Sequence, residues 1–507
     1  MSLVPLAVWA VWQALLVATG ARFSTALLDI SWQLVPIETL RHDPIGSVWY
    51  LHIQPPLWNF AVGAVTRWSP LPDALSLQVL LLACSALVVV LVADLLRLMR
   101  FRPWICMATA SVVALDPELV RYAYESAYEL PCTMLVLLTV WTGVRLVERP
   151  STRTAVALSG AATALVLTRS LFHPAALLLL LVVLLVVVRH RLDLSAVVLC
   201  LVVPLALVGG WLVKNEVLFG EATTSSWSGM NLQRAVIPPL AADQLEQLQA
   251  EGVVSAVAAI GPFKSYADYA AVMPPCRPKH HHPAVDEPAR ANGVPNFNDE
   301  CYLPVFRQAG KDAWAVARHR PAAWWRGRVW AARATFVEGK GSAPTASAPF
   351  RASQSLYRAL TLARSGALSW DGWGQPIFGT APIAVRYLFV LVAGLVTLVA
   401  RAAVGLVRLL RRRGDRVIDG AWLLAASITL YTLVVGIVAE LGEQFRFRPI
   451  VEPLLVGLPL ALLLSAVDRR LRSRRASPPA VVDSMGMPTP VAARADDVGD
   501  RRRTTAG

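Results

Sequence analysis

Long apolar runs alternate with short polar, arginine-rich segments along this chain, a pattern that predicts about ten membrane-spanning helices. The runs cover residues 3–20, 74–96, 104–119, 130–146, 154–168, 172–188, 194–213, 384–408, 419–438 and 449–467. Pro55 to Trp68 is also apolar, but it is short and begins with a proline pair, which predicts an interfacial helix in the first outer loop. A polar insertion of mixed structure occupies 214–382, between the seventh and eighth runs. Beyond 476 the chain is rich in Pro, Ala, Asp and Arg and poor in large apolar residues, the composition of a disordered tail. The fold class is therefore an all-α polytopic membrane protein. It comprises a transmembrane module over 1–213, the insertion over 214–382, three further spans over 383–470, and a disordered cytoplasmic tail over 471–507.

The basic residues set the orientation. Arg97, Arg100 and Arg102 follow the second run, and Arg145, Arg149 and Arg153 the fourth. Arg189, His190 and Arg191 follow the sixth, Arg408 with Arg411, Arg412 and Arg413 the eighth, and Arg469, Arg470, Arg472, Arg474 and Arg475 the tenth. With the N-terminus inside, all of these fall on one face, so the positive-inside rule places both termini in the cytoplasm and the insertion outside. The first run is expected to be a retained anchor rather than a cleaved signal. The net charge of +14 could suit nucleic acid, but its position beside apolar runs points to membrane lipids and away from nucleic acid. Only five of the 48 basic residues are Lys, a bias of GC-rich bacterial genomes, which points to a bacterial plasma membrane.

Cys84, Cys106, Cys132 and Cys200 lie in or beside apolar runs and read as buried small hydrophobes. Cys276 and Cys301 lie in the insertion, where an extracytoplasmic location favours a disulfide between them. No GxxxxGK or GxGxxG stretch occurs, which argues against an ATP-driven pump or a nucleotide-sugar Rossmann domain. The triplet His280, His281 and His282 lacks a second ligand pair at a zinc spacing and reads as a solvated loop.

Candidate chemistry gathers on the outer face. Asp29, in ALLDISWQ, follows the first run; an acid there must be wet or paired, and position alone favours a solvated carboxylate. Asp116, Glu118, Glu125 and Glu129 cluster at the outer mouth of the fourth run. Glu125 and Glu129 would share a face if that stretch were helical. Paired carboxylates can divide into a base and an orienting group, or simply form a hydrated loop. HIQPPLWN at 52–59 carries His52 and Gln54 before a proline pair that starts a helix. Arg169, in LTR, could bind a lipid phosphate or snorkel to headgroups. GEQFRFRPIVEP at 442–453 places Glu443, Arg446, Arg448 and Glu452 together, and its guanidinium forks suit either a phosphate or internal Glu partners. HRPAAWWRGRVW at 319–330 reads as an amphipathic helix lying on the membrane.

Taken in order, several pieces resemble the GT-C superfamily of membrane glycosyltransferases: Asp29, HIQPPLWN, ALDPELVRY leading to YELP at 128–131, LTR at 167–169, WLVKNEVLFG at 211–220 with TTSSWSGMNL at 223–232, and EQFRFRPIVEP at 443–453. Within it they look most like the protein O-mannosyltransferases and bacterial lipid A aminoarabinose transferases, the glycosyltransferase family 39-like group. The resemblance spans most of residues 1–470. It implies a polyprenyl-phosphate sugar donor used at the outer leaflet, a lipid, polysaccharide or protein acceptor, and inversion at the anomeric carbon. It implies Asp29 as the base on the acceptor, Glu129 as the second acidic position and Arg446 as a donor-phosphate contact. Arg169, His52, Gln54 and Glu443 are the further substrate-binding candidates. No cofactor is implied, and a divalent metal is left open. The chain has Asp29-Ile30 where the family often has Asp-Glu, and Gln54 where the aminoarabinose transferases have Lys, so aminoarabinose transfer is not expected. Two other classes compete. A lipid-carrier flippase or transporter would place charges and helix breaks at mid-depth, and the runs here are largely uninterrupted. A non-catalytic envelope assembly protein would not depend on Asp29 or Glu129.

Overall fold

Each apolar run forms a helix in the computed structural model, which describes residues 3–188, 194–336, 344–361, 368–370, 376–378 and 389–476. Arg189, His190, Arg191 and the tail beyond 476 lie outside the described residues. In chain order the helices are Leu3–Ala18, Asp73–Leu98, Pro103–Ala114, Glu129–Glu148, Thr152–Thr168, Ala175–Val188, Leu194–Phe219, Phe389–Leu410, Arg416–Ala439 and Gln444–Ala476. Six of them, the second, fourth, seventh, eighth, ninth and tenth, contain stretches long and apolar enough to cross a membrane, among the described residues. Leu3–Ala18 and Ala175–Val188, with 16 and 14 residues, fall short of that length. At 1.5 Å per residue they reach about 24 and 21 Å, against a hydrocarbon core of about 30 Å. The expected polytopic all-α architecture stands, with six full-length spans and shorter apolar helices beside them among the described residues.

The third run, expected over 104–119, is broken. Pro103–Ala114 and Pro117–Ala123 meet at 58°, and counting them as one bent span brings the total to seven. The cause is local. Pro117 has no N–H to donate to the preceding turn, and the Asp116 side chain caps the new helix by accepting from Glu118 N at 2.9 Å. The seventh helix, in contrast, runs past its expected end at 213 as far as Phe219 and stops at Gly220, whose φ of +67° suits glycine. That extension carries Lys214 to the loop that follows the first helix, where its Nζ donates to Leu51 O at 2.7 Å.

The interfacial helix forms over Pro56–Trp68, with Pro55 in extended backbone as its N-cap and Pro56 in the first turn. Its buried Asn59 ties down the loop before it, accepting from Val35 N at 2.9 Å and donating to Gln33 O at 3.0 Å. The insertion is mainly helical, with Ser228–Val236, Tyr302–His319, Pro321–Ala334 and Ala348–Thr361 as its longer helices. A short antiparallel pair, Leu368–Trp370 with Pro376–Phe378, holds the only strands among the described residues. Trp227, Phe263, Phe297, Tyr302 and Phe306 form an aromatic core within it. Trp32 of the loop after the first helix stacks on Phe263 at 5.2 Å, so loop and insertion share that core. A Cys276–Cys301 disulfide closes the segment that carries Phe297. Met1–Ser465 forms one compact unit and Ala466–Gly507 a second.

Candidate functional site

Three helix ends converge on one buried carboxylate. Glu129 stands in the first turn of Glu129–Glu148, Arg169 caps the C-terminus of Thr152–Thr168, and Arg446 stands in the first turn of Gln444–Ala476. Arg446 Nε and Nη2 each lie 2.6 Å from Glu129 Oε1, and Arg169 Nη1 donates to the same oxygen at 3.3 Å. Glu443 joins from the turn before the tenth helix, with Oε2 3.2 Å from Arg446 Nη1 and 3.7 Å from Arg169 Nη2. Its Oε1 accepts from Gln33 Nε2 at 3.1 Å. Arg169 lies 4.5 Å from the ring centres of both Tyr128 and Phe447, so aromatic faces hold it from two sides. Glu129 is fully buried, and its Oε2 accepts no hydrogen bond among the described residues.

This corner borders two adjoining cavities. The smaller includes Gln54, Tyr128, Arg169, Arg234 and Glu443 in its lining. Gln54 Oε1 accepts there from Ser170 Oγ at 3.2 Å. The larger, about 570 Å³, lies between the insertion and the ninth helix. One wall is apolar, with Leu232, Val435 and Val438; another carries Thr224, Ser226 and Ser228. Ser170, Leu171, Asn231, Glu440 and Phe447 line both. A volume of this size, mainly apolar with a few convergent polar groups, is the ordinary form of a small-ligand site.

Glu440 and Glu443 are neighbouring acids with opposite tendencies. Burial and the Glu443 charge push the Glu440 carboxyl up to about 8. Burial also acts to raise Glu443, but the Arg446, Arg169 and Arg234 guanidiniums outweigh it and hold that carboxyl below its ordinary value. The corner thus combines a cationic cluster, an ionised carboxylate and a protonated one, the set from which acid–base and anion-binding roles are drawn.

The other candidates are placed elsewhere. Asp29 is exposed on the short Ala26–Ile30 helix and lines neither cavity; its backbone carbonyl, rather than its carboxylate, makes the contacts described below. His52 is fully buried, with both ring nitrogens engaged: Nε2 donates to Asn298 O at 2.9 Å, leaving Nδ1 to accept from Ser226 Oγ at 2.7 Å. Burial, with Lys214 nearby, pulls its pKa down to about 3, so the ring is neutral and joins the first loop to the insertion. His280 pairs with Glu300, and His282 lies 3.7 Å from Asp43; both rings pack on Tyr50, where a solvated loop was expected.

Two expected groupings are divided. Glu125 and Glu129 do not share a helix face, because the helix begins at Glu129 while Glu125 pairs through its backbone with Ser24. GEQFRFRPIVEP splits by helical phase. Arg446 faces Glu129, whereas Arg448 donates to Glu118 at 3.0 Å and to Glu452 at 3.4 Å, with Arg121 3.6 Å from Glu118. Two residues turn 200° apart on a helix at 100° per residue, so they serve different networks. Arg234, Asn231 and Glu440 were not singled out from the sequence. Arg234 and Asn231 lie in a helix of the insertion and Glu440 in a plain acidic turn; Asn231 falls within the quoted TTSSWSGMNL, while nothing in the sequence neighbourhood of Arg234 or Glu440 distinguishes them.

Comparison with family models and with curated proteins gives no match. Among solved structures, the chain is similar to the oligosaccharyltransferase of the archaeon Archaeoglobus fulgidus. One such structure is tethered through a disulfide to an acceptor peptide containing the NVT sequon. It shares 12% identity at a TM-score of 0.40, covering 93% of this chain and 50% of that one. Another is AglB from the same organism in complex with an inhibitory peptide and a dolichol-phosphate, at 13% identity and a TM-score of 0.41, covering 96% of this chain and 52% of that one. The chain spans about half the length of the structures it matches.

Proposed function

We propose that this chain is a GT-C-type membrane glycosyltransferase. In this reading it moves a sugar from a polyprenyl-phosphate donor to a cell-envelope acceptor at the outer leaflet of a bacterial plasma membrane. Both termini are cytoplasmic and the insertion is extracytoplasmic, with 1–213 and 383–470 supplying the spans and 214–382 covering the site. The observation that carries the reading is the convergence of Arg169 and Arg446 on Glu129 and Glu443 beside a cavity of about 570 Å³ that has one apolar and one hydroxyl-bearing wall.

The chemistry follows from charge. As the acceptor oxygen bonds to the anomeric carbon, the bond from that carbon to the phosphate oxygen breaks, and the polyprenyl phosphate leaves with one more negative charge. A fixed guanidinium pair in a water-poor corner stabilises that charge best as it develops. The acceptor hydroxyl loses its proton to a carboxylate. Asp29 holds that role by the sequence resemblance, and Glu129, with its open Oε2, is the second candidate.

The test is transfer from synthetic polyprenyl-phosphate sugars in membranes, comparing the native protein with Asp29→Asn at matched expression. Transfer that disappears in the variant supports both the class and the base. Transfer that survives keeps the class and moves the base to Glu129. If no donor is consumed with an acceptor-rich extract present, the flippase or assembly reading replaces this one.

A further inference from the structure

We infer that the larger cavity is a saccharide-binding subsite, and that the acceptor is therefore a glycan rather than a protein side chain. Its role as acceptor site rests on the transferase reading above; the class of ligand rests on the cavity itself.

Trp314 on Tyr302–His319 and Trp324 on Pro321–Ala334 both border the cavity and stack with ring centres 6.1 Å apart at 18°. Arg328 occupies the neighbourhood of Trp324, 4.5 Å from its ring centre. Trp314 has no such second partner among the described residues and is 54% exposed. An indole held in place by a stacked neighbour and open to a cavity offers a flat apolar face. A pyranose has a matching face of C–H groups, with its hydroxyls directed outward around the ring.

The groups that would meet those hydroxyls are present in the same space. Thr224, Ser228, Asn231 and Glu440 line the cavity, and their side chains form no hydrogen bond among the described residues. An amide and a carboxyl each offer a donor and an acceptor to adjacent hydroxyls, provided the carboxyl keeps its proton. Burial and Glu443 favour that protonated form of Glu440 at neutral pH. Asn231 and Glu440 also line the smaller cavity beside Arg169, so a sugar bound between them and Trp314 reaches the corner where the donor phosphate is placed. A protein side-chain hydroxyl would engage one such polar group, whereas the cavity presents an indole face and four polar side chains together.

The experiment uses the full chain in detergent micelles. Soluble mannan, arabinan and galactan oligosaccharides, with a Ser/Thr-containing peptide as comparator, are tested by saturation-transfer NMR and by tryptophan emission. The expected result is binding of at least one oligosaccharide, no binding of the peptide, and at least tenfold weaker binding in both Trp314→Ala and Asn231→Ala. Trp314→Phe, which keeps an aromatic face, retains more affinity than Trp314→Ala, and matched melting temperatures show that the variants are folded. The inference is overturned if no oligosaccharide binds, if the peptide competes for the site, or if folded Trp314→Ala and Asn231→Ala bind as the native protein does. Donor consumption is followed separately. Consumption without oligosaccharide binding defeats this inference alone, and binding that meets the criteria without donor consumption defeats the transferase reading alone.

Discussion

Arg290 Nη1 donates to the backbone carbonyl of Asp29 at 2.9 Å, so the insertion grips the candidate base by its main chain and leaves the carboxylate outward. The same guanidinium donates to Leu28 O at 3.0 Å, Ser31 O at 2.5 Å and Leu34 O at 2.6 Å, and Asn292 Nδ2 adds a bond to Asp29 O at 3.1 Å. Arg290 is buried, and its four acceptors are carbonyls of one short loop, of which Ser31 O also accepts from Leu34 N at 3.2 Å. Arg290→Ala is expected to cost about 3 kcal/mol, since hydrogen bonds from a charged donor are worth about 1.5–3 kcal/mol and the truncation strands several acceptors. Hydrogen exchange should rise selectively over residues 28–34, and unchanged exchange there would show that the clamp is dispensable.

The Cys276–Cys301 bridge closes the segment that holds Arg290, with a sequence separation of 25. Loop-closure entropy for that length gives about 3 kcal/mol of stabilisation. Cys276→Ser, or reductant added to the native protein, should lower the melting temperature and loosen the loop after the first helix together with the insertion. A melting temperature indifferent to both would count against the bridge.

Glu129 is the shared partner of two guanidiniums, and Glu129→Gln leaves both in a buried site with one anionic neighbour fewer. Breaking a buried pair by removing one partner costs about 3–5 kcal/mol. Adding Arg446→Met should recover part of that loss, which a double-mutant cycle of melting free energies would detect as a coupling of 0.5 kcal/mol or more, roughly the lower bound for residues in contact. Additive effects would mean that the two side chains do not interact.

The Glu440 carboxyl rises from 4.5 to about 8, driven by burial and then by Glu443, against the opposing pull of Arg234, Arg169 and Arg446. Between those values the folded protein keeps a proton that the unfolded chain has lost, so stability from this group falls as pH rises and levels off above about 8. Glu443 acts in the opposite direction in a lower window: with its folded value depressed, it adds stability above its unfolded value and loses it as pH falls. Glu440→Gln should therefore flatten the decline between pH 5 and 8 in a melting-temperature series. Parallel curves for native protein and variant would show that Glu440 is ionised across that range.

What the sequence by itself determined is local. Apolar run length and composition located every span helix, because helix formation and burial in hydrocarbon depend on residues within a few turns of one another. The proline pair starting Pro56–Trp68 was legible for the same reason, as were the acids and arginines concentrated at the ends of the apolar runs. The tertiary structure decided which of those charges meet. Glu129 and Arg446 are 317 residues apart, and Arg290 reaches Asp29 across 261. Whether Arg446 or Arg448 faces Glu129 depends on helix phase and on how three helix ends pack, and neither quantity is encoded in a short motif. The neutral, fully engaged His52 likewise follows from packing among distant segments, whereas the bend at Asp116 and Pro117 has a local cause in the proline and the capping aspartate. Cavities belong wholly to that level, because they are the space left between elements, and their lining residues share no sequence pattern.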